Sequence, residues 1–192
     1  MLAAAAAGGA LAAALAYELP ALAVKSDALA ARWDVRRRLG AAAGAGVALT
    51  FDDGPHAQGT PAVLELLRAA GAHATFFLVG EQVVRRPAVA AEIAAAGHEI
   101  ALHCDRHRNL MRLTPGQMLD DLERATDRIA EASGRVPVLY RPPYGLLTTP
   151  ALRFARARAH ETLLWSAHGR DWSRIATART IARRLRTAAP AW

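Results

Sequence analysis

A chain of 192 residues can form one domain with a real core and is too short for two comfortable ones. Its composition, 53% hydrophobic and 21% charged, is ordinary for a globular protein, and the single cysteine, Cys104, excludes an internal disulfide framework. The formal charge of +7 is almost wholly arginine, with Lys25 the only lysine; no aromatic-interleaved basic cluster accompanies it, so the arginines are read as solvated on helix faces and nucleic acid is not an expected partner.

The first 24 residues differ in kind. "MLAAAAAGGALAAALAY" carries no charge before Glu18, and "ALA" at 21–23 has the small-x-small form of an export cleavage site. An uncharged run of 17 residues lies at the lower edge of the about 17–25 needed to span a bilayer. Residues 1–24 are therefore expected to form an apolar helix. A membrane anchor or export signal is preferred over an Ala-rich soluble helix, which implies a membrane-anchored or extracytoplasmic protein with a cytoplasmic one as the alternative. Residues 25–44, with "RRRL" at 36–39, read as a basic linker, and residues 45–192 as the domain.

From residue 47 the pattern alternates. "VALTF" (47–51) is a short apolar strand. "TPAVLELLRAAG" follows as a helix, with Thr60 as N-cap, Pro61 at its first position and Gly71 as C-cap. "ATFFLVG" (74–80) reads as a buried strand, "RPAVAAEIAAAG" as a helix and "HEIALH" (98–103) as a strand. The longest helix covers 114–134, with Leu119, Leu122, Ala125, Ile129 and Ala132 at 3–4 spacing. Strand "VLYR" (138–141), a helix over 149–159, strand "ETLLW" (161–165) and a helix over 176–188 complete the series.

Strands separated by helices imply an α/β fold with parallel pairing, either closed as a barrel or open and doubly wound. Asp52, Asp53, His103, Arg141 and the Trp165–Asp171 segment all fall just past strand C-termini, the edge on which both architectures build sites. No Gly-rich phosphate loop follows the first strand, so a nucleotide-binding fold has no support. Two adjacent carboxylates would raise each other's pKa unless a cation compensates them. "HCDRH" offers two histidines that can reach one ion from a single turn, and two histidines with one carboxylate leave positions open for water and substrate. The alternative is that closely spaced histidines are surface residues. A zincin is ruled out, because Cys104 stands where that motif needs Glu.

"TFDDGP", "HCDRH", "RPPYG" and "WSAHGRDW", in this order, resemble the polysaccharide deacetylase family (the NodB-homology, carbohydrate esterase 4 group), as do "ATFFLVG" and "GHEIALH" between them. The resemblance spans residues 45–190 and implies a distorted (β/α) barrel. It also implies removal of acetyl groups from N-acetylglucosamine polymers such as peptidoglycan or chitin, or from acetylated xylan, with a divalent metal. Carried over by position, Asp52 resembles the catalytic base; Asp53, His103 and His107 resemble the metal ligands. Arg141 would orient Asp52, and the Tyr144 backbone N–H would help hold the oxyanion. Pro143, Trp165 and Trp172 resemble groove-lining positions, and Asp171 the residue that tunes a catalytic histidine. Zinc suits two histidines and an aspartate best, with cobalt, nickel or manganese as alternatives.

The family's further Leu-x-His motif, expected after Asp171–Trp172, is not reached before Trp192. The barrel is thus expected to be incomplete at its C-terminal end. A degenerate, carbohydrate-binding domain without the general acid is the competing reading. Cys104 stands where the family usually has Ser or Thr and is read as an unligated small side chain. His56 and His98 are read as structural or groove-lining, His73 and His160 as surface residues. The sequence carries no signal for an oligomeric state.

Overall fold

The computed structural model describes residues 21, 26–40 and 46–188. The apolar segment 1–24, Ala21 apart, lies outside the described residues. No helix among the described residues is long and apolar enough to cross a membrane.

Six strands form one parallel sheet: β1 (Val35–Arg36), β2 (Thr50–Gly54), β3 (Thr75–Val79), β4 (Glu99–Cys104), β5 (Leu139–Tyr140) and β6 (Glu161–Leu163). Their spatial order is β1-β6-β5-β4-β3-β2. From β2 to β6 each strand thus lies beside the one before it in sequence, as in the winding of a barrel. No pairing joins β1 to β2 among the described residues, so the sheet stays open between its two ends. This parallel sheet with helices is the α/β fold expected from the resemblance.

The middle of the sheet is buried on both faces, which parallel strands covered by helices require. Phe76, Phe77, Leu78 and Val79 of β3 and Ile100, Ala101 and Leu102 of β4 are all buried. The described residues form seven helices around it: α1 (Asp27–Arg32), α2 (Gly59–Ala69), α3 (Gly80–Arg85), α4 (Pro87–Ala95), α5 (Pro115–Ser133), α6 (Thr149–Ala157) and α7 (Ala178–Ala188), the last with no buried residue. Helix α5 has a full capping box between Thr114 and Gln117 and ends at Gly134, whose φ of 69° suits only a residue tolerant of the left-handed region.

Three local expectations are corrected. Residues 26–40 do not pass as linker: Ser26 caps α1, and β1 pairs with β6 through Val35↔Thr162 and Arg36↔Leu163. A two-residue strand has no periodicity to read. Helix α2 starts at Gly59 with Gln58 as its cap; Thr60 lies inside it, its hydroxyl accepting the His56 N–H. On α5, Leu119 is 37% exposed, while Asp121 is buried in the stripe with Met118, Leu122, Ala125 and Ile129.

His98 and His160 are both buried, the latter against the surface placement expected for it. Burial pushes both imidazoles below the usual histidine value near 6.5, helped at His98 by His73 and at His160 by Arg158. The folded state therefore favours their neutral forms, while the unfolded chain takes up protons already near 6.5. Stability rises with pH across that window. The thermal midpoint is accordingly expected to fall as pH drops from 7 toward 5, and a double His98→Asn, His160→Asn variant should show a shallower fall when both are followed by circular dichroism.

Candidate active site

The pairing register of β2 with β3 shifts between Phe51 and Gly54, so the two aspartates fall within an irregularity rather than on opposite faces of a regular strand. Asp53 adopts φ 67°, a left-handed conformation that Asp tolerates better than most residues. The two carboxylates consequently serve different partners.

Asp52 belongs to Arg141. The arginine follows β5 and is only 3% exposed; its Nη1 donates to Asp52 Oδ1 at 2.6 Å and to Thr50 Oγ1 at 2.9 Å. The guanidinium lies 3.9 Å from the centre of the Phe77 ring and 5.6 Å from that of Trp165. Burial lowers its pKa and the Asp52 carboxylate opposes that, leaving a cation, as arginine always is in proteins.

Asp53 belongs to the histidines. Its Oδ1 lies 3.3 Å from His103 Nε2 and 3.3 Å from His107 Nε2. The three ligand atoms of this group all lie within 4.8 Å of one another. His103 Nδ1 meets the Arg141 carbonyl oxygen at 2.6 Å. A carbonyl only accepts, so Nδ1 carries a proton and Nε2 is the atom left to face Asp53. The contact with His103 holds the Asp53 carboxyl below the usual range against the opposing effect of burial. Burial, partly offset by Asp53, lowers His107. An ionised Asp53 and a neutral His107 are the forms in which these two side chains ligate metal. Three electron-rich atoms turned toward one point fit a divalent cation, and the donor set matches zinc-type sites with open positions.

Tyr144 sits at φ 59° in the short 3₁₀ turn Pro143–Gly145, between Pro142 and Leu146. Its N–H has no acceptor among the described residues, and its ring packs edge-on against His107 at 4.6 Å. Pro143, which precedes it, is buried. Trp165 is half-buried and meets His168, which stacks on the exposed Trp172 at 5.1 Å. Asp171 is exposed and makes no hydrogen bond to another described residue; it acts on His168 only through charge, countering the lowering by burial and Arg170. Among the described residues, no hydrogen bond, ion pair or ring contact joins Asp171 or Trp172 to the Asp52–His107 group. Cys104 is fully buried with its thiol pushed well above its usual value by burial, and it stands outside the Asp53–His103–His107 group.

Two members of the site have no counterpart among the residues singled out from sequence. Thr50 precedes Asp52 by two and so shares its side of the strand, a period-2 clue that was available. Phe77 supports Arg141 from the neighbouring strand β3, a relation that no local pattern encodes. A cleft of about 420 Å³ at the opposite, N-terminal end of the strands, lined by Glu65, Arg68, His73, Glu92 and His98 among others, shares no residue with this site.

The family model for polysaccharide deacetylase matches residues 40–162. A peptidoglycan-N-acetylglucosamine deacetylase of Bacillus cereus is 36% identical over 129 residues, 66% of this chain and 60% of the relative's length. A chitooligosaccharide deacetylase of Bradyrhizobium is 36% identical over 149 residues, 77% of this chain and 68% of the relative. Among solved structures, that of a peptidoglycan N-acetylglucosamine deacetylase in complex with 4-naphthalen-1-yl-N-oxidanyl-benzamide superposes with a TM-score of 0.77 at 29% identity, covering 82% of this chain and 73% of that one. The family match runs from the strand bearing the paired aspartates through the arginine loop to β6, which is more than half of the sequence, and on that footing the chain belongs to the polysaccharide deacetylase family.

Proposed function

We propose that this chain is a metal-dependent hydrolase that removes acetyl groups from N-acetylated amino-sugar polymers, peptidoglycan or chitin oligosaccharides. The observation that carries the reading is the convergence of Asp53, His103 and His107 beside an Asp52 held by a buried arginine. The substrate class is that of the two relatives, one named for peptidoglycan and one for chitooligosaccharides.

Asp53, His103 and His107 would hold the cation, which when bound supplies Lewis acidity toward an amide carbonyl and toward water. Zinc is the ion this donor set suits best, with cobalt, nickel and manganese as substitutes. Asp52 is the base: Arg141 occupies its Oδ1, leaving Oδ2 to accept the proton of the attacking water. The unpaired Tyr144 N–H is the donor for the oxyanion that develops on the acetyl carbonyl. Trp165 and Trp172 offer apolar faces to pyranose rings, whereas Pro143, expected to line the groove, is buried and instead stiffens the loop that carries Tyr144. These substrates suit an enzyme working outside the cytoplasm, with residues 1–24 as its leader or anchor and a deacetylase domain that includes β1 as well as residues 45–192.

Acetate release from an N-acetylglucosamine oligomer and from peptidoglycan, with and without a chelator, tests the reading. Release that stops with chelator and returns with zinc is the expected result. A zinc-supplied chain that releases no acetate from either polymer overturns the proposal and leaves the non-catalytic, carbohydrate-binding alternative.

A further inference from the structure

Asp105 and Asp121 are carboxylates among the most deeply buried polar groups of the protein, and the chemistry above uses neither. They lie beside the one ligand that is not on a strand. His103 belongs to β4 and is held through its ring by the Arg141 carbonyl. His107 rides on the loop that follows β4, in a three-residue turn closed by the Arg108 N–H on the Arg106 carbonyl at 2.6 Å. A turn of that kind does not fix its own orientation, so something else must aim the imidazole at Asp53.

Asp121 grips the turn from both sides. From the buried face of α5, its Oδ2 accepts the Asp105 N–H at 2.8 Å and its Oδ1 accepts Arg108 Nη2 at 2.7 Å. Residues 105 and 108 are the flanks of His107, and one carboxylate ties both to the helix. Asp105 is in turn fixed at every polar group. Its carbonyl accepts the Glu81 N–H at 3.0 Å, Oδ1 accepts Arg128 Nη1 at 2.6 Å, and Oδ2 accepts Arg124 Nε at 3.0 Å. Gly80 leaves the space for this carboxylate, because a Cβ there would overlap Asp105 Oδ1. Charge-assisted bonds to a buried carboxylate are stronger than neutral ones, and a fully satisfied buried network is rigid.

We infer that Asp121 is a positioning residue for His107: it fixes the loop that aims this ligand at Asp53 and thereby sets the protein's affinity for a divalent cation. The inference rests on the metal-site reading above. Asparagine at 121 can still accept the Asp105 N–H but loses the charged grip on Arg108. Outer groups that orient metal ligands typically contribute about 10–100-fold to affinity.

The test is cobalt(II) titration of the full chain, followed by the visible absorbance of the bound ion, alongside thermal unfolding of the ion-free protein. Asp121→Asn is expected to weaken cobalt binding about tenfold and to alter the absorbance of the remaining complex. Arg108→Gln, at a side chain 42% exposed, removes only the second tether. It should weaken binding in the same direction with the ion-free midpoint unmoved, and it decides the matter alone if Asp121→Asn does not fold. Leu122→Ala, the neighbouring core position on α5, is the control: it should lower the midpoint without touching cobalt affinity. Unchanged affinity in Arg108→Gln, or an equal loss in Leu122→Ala, overturns the positioning role while leaving the metal site standing. A wild-type chain that binds no cobalt overturns the metal site itself, and this inference with it.

Discussion

Asp52→Asn is expected to lower acetate release about 10²–10⁴-fold, the usual contribution of a positioned proton acceptor. Asparagine keeps the size of the side chain, and its Oδ1 can still accept Arg141 Nη1, so the local structure is conserved. What it cannot do is take a proton from water. The loss should therefore fall on kcat with KM nearly unchanged. Cobalt affinity should hold as well, since Asp52 is outside the Asp53–His103–His107 group proposed to hold the cation. Steady-state kinetics on a chitin oligosaccharide, paired with cobalt titration, checks both halves. A variant that keeps its kcat removes Asp52 from the role of base.

Arg141→Met is the second large effect, and it reaches stability as well as rate. The guanidinium is nearly inaccessible and serves Asp52, Thr50 and the face of Phe77, while turning weakly toward the Leu163 and Leu164 carbonyls. Removing one partner of a buried ion pair costs about 3–5 kcal/mol when both charges are dry. Asp52 keeps 30% of its side chain in contact with solvent, so about 2–4 kcal/mol is the expected loss here. Urea unfolding measures it. Acetate release should drop with it, because Asp52 loses the group that orients it. Arg141→Lys separates the two contributions: the retained charge should restore part of the stability, whereas a single ammonium cannot reproduce the planar, multiply donating contact. Full activity in Arg141→Lys would show that charge alone suffices.

The grouping of the candidate site was legible in the sequence because its chemistry sits where strands end. Asp52, Asp53, His103 and Arg141 each follow or finish an apolar run, and parallel sheets bring such ends together whatever the intervening helices contain. His107 was legible only through its spacing from His103. The supports behind these residues were not. Asp121 occupies a position on α5 where a 3.6-residue period predicts an apolar side chain, and the 3–4 spacing assigns Leu119 to the buried stripe in its stead. A buried carboxylate leaves no trace in hydrophobic periodicity, because its partners, Arg108 and the Asp105 N–H, are supplied by another segment. The same holds for β1, whose place beside β6 is set by a partner some 125 residues away and by two residues only. Trp165 and Trp172, expected from the resemblance to line the groove, keep the company of His168 rather than of the aspartates, and Asp171 reaches that histidine only through its charge.

The left-handed backbone at position 53 restricts which residues can occupy it. Of the twenty side chains, glycine, asparagine and aspartate accept that conformation at least cost, and a β-branched residue there would be strained before any question of binding arose. Glycine has no oxygen to offer, and asparagine's is uncharged. Mutational drift at this codon is thus confined by shape to almost the same alphabet to which reactivity confines it. Tolerance measured at position 53 would confound two demands, and only the asparagine replacement isolates the anionic one.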